Sequence, residues 1–161
     1  MKTDATRNFV SEIRLLKIEE IDGAVDLLIG QLHEHGSDTD SGRVRSVIEQ
    51  IIHDDRLGFV LVATGGNRKL IGVALGCTFL GDEHGGKSGW LEELYVLPEF
   101  RSHGSGALLL AEFIRIAESR SWRAIDVEVD SRHVRAASLY KRLGFEPLER
   151  SRLSRILKPE L

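Results

Sequence analysis

Residues 94–107 are Leu94-Tyr95-Val96-Leu97-Pro98-Glu99-Phe100-Arg101-Ser102-His103-Gly104-Ser105-Gly106-Ala107. The apolar start of this segment predicts a strand that ends at Pro98, and the apolar residues after Ser105 predict a helix. Gly104 and Gly106 lie at the turn between them, where glycine allows positive φ and a close approach of the backbone to a ligand. Because the first amides of a helix have no intrahelical acceptor, the turn is suited to an anion such as a diphosphate.

Two other phosphate-binding motifs also place glycines before a helix. A P-loop requires Gly-Lys-Ser/Thr, whereas Gly106 is followed by Ala107 and Leu108, so we reject that motif. A dinucleotide-binding fingerprint requires a third glycine that this segment lacks, and too few strand–helix units follow it, although Asp126 lies at the expected distance. On the glycines alone, a turn that binds no ligand stays an open alternative.

The rest of the chain predicts a mixed α/β fold. Apolar residues recur at helical spacing in four segments, residues 19–32, 44–52, 105–119 and 134–143. Strand patterns occur at residues 13–18, 59–63, 70–79, 90–97 and 125–130, with further strands beginning at Phe145 and at residue 152. Residues 81–89 are predicted to form a loop, and Gly144 a left-handed helix cap. This order predicts a twisted mixed sheet of about six or seven strands flanked by about four helices.

Length and composition restrict the class of protein. With 161 residues, of which 42% are hydrophobic and 29% charged, the sequence predicts a single soluble domain over residues 1–161. Cys77 is the single cysteine, which excludes an intrachain disulfide and favours the cytoplasm. No apolar run approaches the roughly 20 residues that span a bilayer, so we expect no membrane partner. The net charge of −3 without a basic run argues against nucleic acid as a partner.

Two motifs in this order resemble the GNAT superfamily of N-acetyltransferases. Residues 101–106 match its R/Q-x-x-G-x-G/A signature. The second motif, similar to its A-x-x-L-Y-x-x-x-G-F helix, is Ala136-Ala137-Ser138-Leu139-Tyr140-Lys141-Arg142-Leu143-Gly144-Phe145. The resemblance covers residues 90–145 directly. It implies the GNAT fold, acetyl-CoA as cosubstrate, direct transfer of the acetyl group to a primary amine and, by analogy with many members, a homodimer.

The resemblance also implies a cofactor site. In this family the pantetheine arm lies between two splayed parallel strands, here residues 90–97 and 125–130. Backbone groups of Leu94, Tyr95 and Val96 are expected to hold the arm and to meet the oxyanion. The backbone of seven residues is expected to bind the diphosphate: Arg101, Ser102, His103, Gly104, Ser105, Gly106 and Ala107. The side chains of Ser102, His103 and Ser105 are expected to be replaceable.

One position departs from the family pattern. Where the family commonly has Asn, this chain has His133. A cofactor-binding role of His133 and a plain surface histidine at a helix start both stay open.

Acetyl transfer requires a group that takes a proton from the amine. An alkylammonium with a pKa near 10.4 is neutral in only about one molecule in a thousand at pH 7, so a carboxylate or a water chain should receive its proton. Three carboxylates lie on the two expected cofactor strands, Glu92, Glu93 and Glu128, and the sequence leaves the choice open. Strict alternation places Glu92 and Glu93 on opposite faces, and a β-bulge would change this. The resemblance makes Tyr140 the candidate acid for the leaving thiolate, with a buried core tyrosine as the alternative.

The acceptor pocket is expected between the first two helices, residues 81–89 and the C-terminal strands. Five acidic residues available there favour a small cationic amine such as a polyamine or an amino sugar: Glu34, Asp38, Asp40, Asp82 and Glu83. Two alternatives stay open, a protein N-terminal or lysine acetyltransferase, which Glu128 favours, and a non-catalytic module that binds acyl-CoA. No metal is expected, because histidines in an acidic loop, such as His33 and His35, are mostly solvated.

Overall fold

The computed structural model describes residues 10–158. In this part of the chain the helices and strands follow in the order β1 Glu12–Leu15, α1 Ile21–Glu34, α2 Ser41–His53, β2 Gly58–Thr64, β3 Leu70–Gly81, β4 Gly86–Val96, α3 Ser105–Ser119, β5 Ile125–Val127 and α4 Val134–Arg142. The chain divides into two compact units, of which the first ends at Glu128 and the second begins at Val129. The predicted mixed α/β class is confirmed. Residues 10–158 contain no helix long and apolar enough to cross a membrane.

The strands of the first unit form one sheet in the order β1-β2-β3-β4-β5. Strands β1 to β4 pair antiparallel, whereas β5 runs parallel to β4. The pairing of β4 with β5 begins at Gly89 with Ile125 and ends at Leu91 with Val127. Strand β4 continues to Val96 beyond that point. The two parallel strands therefore separate after Leu91, which is the arrangement expected for the strands around a cofactor arm.

Helices cover both faces of this sheet. On one face, Leu28 of α1 and Ile48 of α2 belong to one buried cluster with Val73 and Tyr95 of the sheet. On the other face lies α3, since a Cβ atom on Gly72 of β3 would lie 3.4 Å from Leu109 of that helix. Tyr95 and the residues that alternate with it therefore point toward α1 and α2.

Three aromatic rings fill the face under α3. The Phe59 ring lies 4.6 Å from that of Phe113 and 5.3 Å from that of Trp122, measured between centroids. These rings occupy space that side chains on the neighbouring strands would need. A Cβ atom on Gly89 would lie 1.7 Å from the Trp122 ring, and one on Gly76 would lie 2.4 Å from Phe113. Glycine at both positions is therefore required by packing.

Two predictions about the chain were wrong. Residues 81–89 are not one loop, because β3 extends to Gly81 and β4 begins at Gly86. After α4 the described residues contain no strand, so that five strands replace the predicted six or seven. The apolar side chains there stay exposed, with Leu153 at 92% and Ile156 at 93%. A segment that buries so little apolar area lacks the packing that stabilises a strand.

Substituting Gly89 tests the aromatic packing. We expect Gly89→Ala to destabilise the fold by about 3 kcal/mol, because the new methyl group overlaps the Trp122 ring within a close-packed core. Gly66→Ala is the matched control, since a Cβ atom there meets no described atom within 4 Å. Urea unfolding of both variants and the parent measures the difference. Equal stabilities for all three proteins would contradict the packing described here.

Candidate active site

The turn between β4 and α3 is shaped by residues with positive φ. After β4, one 3-10 turn spans Pro98–Phe100. Ser102 then has φ of 66° and Gly104 has φ of 81°. Glycine adopts this conformation without strain, whereas a β-branched residue at the Gly104 position would be an outlier. Gly104 is the N-cap of α3, and the helix begins at Ser105 as the sequence predicts.

A glycine caps the N-terminus of α3. Because its cap is glycine, the capping residue has no side chain to occupy the first-turn amides of Ser105, Gly106 and Ala107. A Cβ atom on Gly104 would meet no described atom within 4 Å. The helix dipole adds positive potential at this end of a 15-residue helix. These features fit the diphosphate of coenzyme A, which the sequence motif assigns to this turn.

The side chain of Ser105 has a structural role. Ser105 is 2% exposed, and its Oγ donates a hydrogen bond of 3.1 Å to the carbonyl of Phe100. This bond ties the first residue of α3 to the preceding 3-10 turn. Ser102 and His103, in contrast, are exposed. Replaceability of the three side chains stays a prediction, and for Ser105 a replacement would remove this buried hydrogen bond.

Arg101 anchors the start of the turn. Its Nε donates to the carbonyl of Val96 at 2.7 Å, and its Nη2 lies 3.0 Å from both carboxylate oxygens of Glu34. Its guanidinium lies 5.1 Å from the centroid of the Tyr95 ring. The Tyr95 hydroxyl in turn donates to Glu34 at 2.8 Å. The end of β4, the end of α1 and the turn are thereby fixed to one another.

The hydrogen bonds of this network shift the pKa values of Glu34 and Tyr95. Burial alone would raise the pKa of Glu34, but hydrogen bonds from Tyr95 and Arg101 outweigh it, so the pKa lies below its usual value. Burial and the hydrogen bond to Glu34 raise the pKa of Tyr95. Glu34 was expected to line the acceptor pocket, yet its carboxylate accepts hydrogen bonds from Tyr95 and from Arg101 of the turn. Asp40, expected in the same pocket, caps α2 by accepting a 3.1 Å hydrogen bond from the amide of Arg43.

A β-bulge separates the two strand carboxylates of β4. Leu75 of β3 pairs with Glu93, whereas the next residue, Gly76, pairs with Leu91. Glu92 is therefore the additional residue of the bulge. It lies beside the point where β4 and β5 separate, and it is exposed, whereas Glu93 is half-buried. The bulge considered as a possibility from the sequence is present.

Glu93 has the chemistry of a proton acceptor at neutral pH. Burial raises its pKa to about 7, with a further contribution from the charge of Glu92. A carboxyl group with that pKa gains and loses a proton near neutrality, as a general base must. Cys77 lies opposite Trp90 on the neighbouring strand, and burial together with Glu92 raises the pKa of its thiol to about 11. A thiol with that pKa stays protonated at neutral pH, which disfavours a role as nucleophile.

The remaining predicted residues lie at the end of the first unit and in the second. Glu128 is exposed and directly follows β5. Tyr140 of α4 is 8% exposed, with its ring centroid 5.4 Å from that of Phe145. His133 is exposed at the N-cap of α4. Gly144 follows the helix with φ of 89°, which confirms the predicted left-handed cap. The first unit thus holds the turn, the β4 backbone groups of Leu94 to Val96 and the three candidate carboxylates, of which Glu128 lies just beyond its predicted strand.

The chain is similar to known proteins in sequence and in structure. An uncharacterised N-acetyltransferase of Methanocaldococcus jannaschii is 32% identical over 96 residues, which are 59% of this chain and 42% of that protein. The chain thus spans less than half the length of this relative. An integron cassette protein from the mobile metagenome of Cole Harbour Salt Marsh superposes with a TM-score of 0.81 at 23% identity, covering 92% of this chain and 91% of its own.

An aminoglycoside N-acetyltransferase in complex with CoA superposes with a TM-score of 0.76 at 22% identity, covering 90% of this chain and 93% of its own. At such identities these structures show the fold alone. The family model described as acetyltransferase (GNAT) family matches residues 24–145 and includes residues of both units. Since this match covers more than half of the chain, the protein belongs to the GNAT family of acetyltransferases.

Proposed function

We propose that this chain transfers an acetyl group from acetyl-CoA to a primary amine. The observation that carries the proposal is the glycine-capped start of α3 shortly after Arg101, within a chain of the GNAT family. Since the family match includes parts of both units, we also propose that residues 1–161 act as one acetyltransferase domain. Acetyl-CoA, when bound, supplies an acetyl group activated as a thioester.

The proposed cofactor site uses backbone groups. The amides of Ser105, Gly106 and Ala107 bind the diphosphate, and Arg101 positions the turn through Val96 and Glu34 rather than through a contact with the ligand. The part of β4 beyond its pairing with β5, which includes Leu94 and Val96, presents backbone groups to the pantetheine arm. Ser102 and His103 contribute their backbone to the same turn.

Glu93 is the proposed general base. Its pKa of about 7 allows it to take the proton of the attacking ammonium at neutral pH. Glu92 supports this function because its negative charge disfavours the ionised form of Glu93 and so raises the pKa of Glu93. Tyr140 is proposed as the acid that donates a hydrogen bond to the leaving thiolate. For Glu128 and His133, a role in catalysis or cofactor binding stays a prediction.

We further propose a small cationic amine as acceptor. The adjacent carboxylates of Glu92 and Glu93 favour an ammonium group, and one structural neighbour is an aminoglycoside acetyltransferase. A protein N-terminus or lysine as acceptor, and binding of acyl-CoA without turnover, are the alternatives. Action in the cytoplasm as a homodimer stays a prediction from the single cysteine and the family resemblance.

A thiol-release assay tests the proposed function. Purified protein is incubated with acetyl-CoA and each of four acceptors: spermidine, glucosamine, kanamycin and a peptide with an N-terminal alanine. We expect coenzyme A to be released with at least one of the first three and slowly with the peptide. Release with the peptide alone would establish the protein acceptor instead, and binding of acetyl-CoA without release would establish the non-catalytic module.

Replacing Glu93 tests the base. We expect Glu93→Gln to lower kcat about 100-fold or more, because a positioned general base contributes on the order of 10²–10⁴. In the parent protein kcat should rise with pH through about 7, where Glu93 loses its proton. Glu92→Gln is the comparison variant and should retain kcat with the inflection moved to lower pH, because it removes the charge that raises the pKa of Glu93. A Glu93→Gln variant with the parent's rate and pH profile would exclude this base.

Replacing Tyr140 tests the acid. Tyr140→Phe removes only the hydroxyl and keeps the ring that packs on Phe145. We expect kcat to fall about tenfold or more while the affinity for acetyl-CoA changes little, since general acid catalysis acts in the transition state. Steady-state kinetics and calorimetry on the same preparation measure both quantities. Equal turnover by variant and parent would leave Tyr140 as a core residue.

A further inference from the structure

Gln31 of α1 carries an unsatisfied polar atom inside the protein. Its side chain is 7% exposed, and its Oε1 accepts no hydrogen bond from residues 10–158. A buried carbonyl of this kind is rare in folded proteins, because leaving it unpaired costs about 1–3 kcal/mol. Such an atom requires a hydrogen-bond donor that residues 10–158 do not supply.

Gln31 belongs to the end of α1 that packs near β4. It lies one helical turn before Glu34, whose carboxylate accepts the hydrogen bond from Tyr95. A Cβ atom on the adjacent Gly30 would lie 3.5 Å from the Tyr95 hydroxyl. This end of α1 therefore lies against β4 at Tyr95. Glu93 is two residues before Tyr95 on the same face of that strand, at a distance of about 7 Å along it.

We propose that Gln31 binds the acceptor substrate, with its Oε1 accepting a hydrogen bond from an N–H group of the amine. This assignment rests on the proposed function and adds a specificity-determining residue to it. The substrate ammonium has several N–H donors: one proton passes to the Glu93 carboxylate, and another N–H group is held by Gln31. An acceptor that is charged and carries several donors, such as a polyamine or an amino sugar, satisfies both groups.

The test compares Gln31→Met with the parent protein, using spermidine and kanamycin as acceptors. Met has a similar length and no hydrogen-bonding oxygen. We expect KM for both amines to rise about tenfold or more, as for a lost hydrogen bond to a charged group, with KM for acetyl-CoA unchanged. We also expect an equal or higher melting temperature, because the variant removes an unsatisfied buried carbonyl. A residue with only a structural role would instead lower the melting temperature and leave the amine KM unchanged.

Two further variants make the result decisive. Gln50→Met is the matched control, because Gln50 of α2 is exposed and bonds to the carbonyl of Ser46 within its own helix. It should leave every parameter unchanged. Gln31→Glu retains an oxygen acceptor and should keep the amine KM within about threefold of the parent, so that the role stays testable if the Met variant does not fold.

The outcomes separate this inference from the proposed function. A parent protein that acetylates neither spermidine nor kanamycin removes the small-amine acceptor, and the role of Gln31 with it. A parent that acetylates either one, together with an unchanged amine KM in Gln31→Met, overturns the role of Gln31 alone and points to a resident water at Oε1. An amine KM in Gln31→Glu raised as far as in Gln31→Met overturns it as well.

Discussion

The site depends on how Arg101 is held. Its Nε bonds to the carbonyl of Val96, the last residue of β4, while its Nη2 reaches the carboxylate of Glu34 at the end of α1. Both contacts come from one planar guanidinium, a geometry that a lysine does not reproduce. The exposed ion pair contributes little to stability by itself. The two contacts of Arg101 instead fix the point at which the chain leaves the sheet, and hence the position of the first amides of α3.

A second constraint is the separation of β4 from β5. Pairing stops after Leu91, and at that point Glu92 enters the strand as the extra residue of a bulge. The bulge lets Leu91 lie on the α3 face while Glu93 lies on the face of Tyr95, where burial raises the pKa of Glu93 to about 7. The end of the parallel pairing and the bulge thus lie next to each other in β4, beside a carboxylate able to exchange protons at neutral pH. A half-buried carboxyl group with a raised pKa, such as that of Glu93, is typical of functional sites, and here it lies where the proposed reaction needs a base.

Local features of the site follow from the sequence, whereas long-range ones do not. The bounds of α3 and the positive φ of Gly104 could be predicted, because turn geometry and helix periodicity depend on neighbouring residues. The proposal of Glu93 rather than Glu92 as the general base required the register with β3 and the burial of Glu93, which the sequence does not give. The sequence placed Glu34 in the acceptor pocket. Its ion pair with Arg101 could not be predicted, because the two residues lie 67 positions apart in the chain. The prediction of C-terminal strands was wrong for a related reason. Apolar residues such as Leu153 form a strand only where another surface covers them, and Leu153 is exposed.

Titration calorimetry with coenzyme A tests the central claim, that amides at the start of α3 hold the diphosphate. The parent protein is compared with Gly104→Val and with Gly85→Val, because both glycines have positive φ, 81° and 72°, and open space around them. Both substitutions strain the backbone alike. We predict saturable binding by the parent and by Gly85→Val, and an affinity about tenfold or more weaker for Gly104→Val, which misplaces the amides. A parent protein that does not bind coenzyme A, or a folded Gly104→Val variant that binds it as tightly as the parent, would contradict the account.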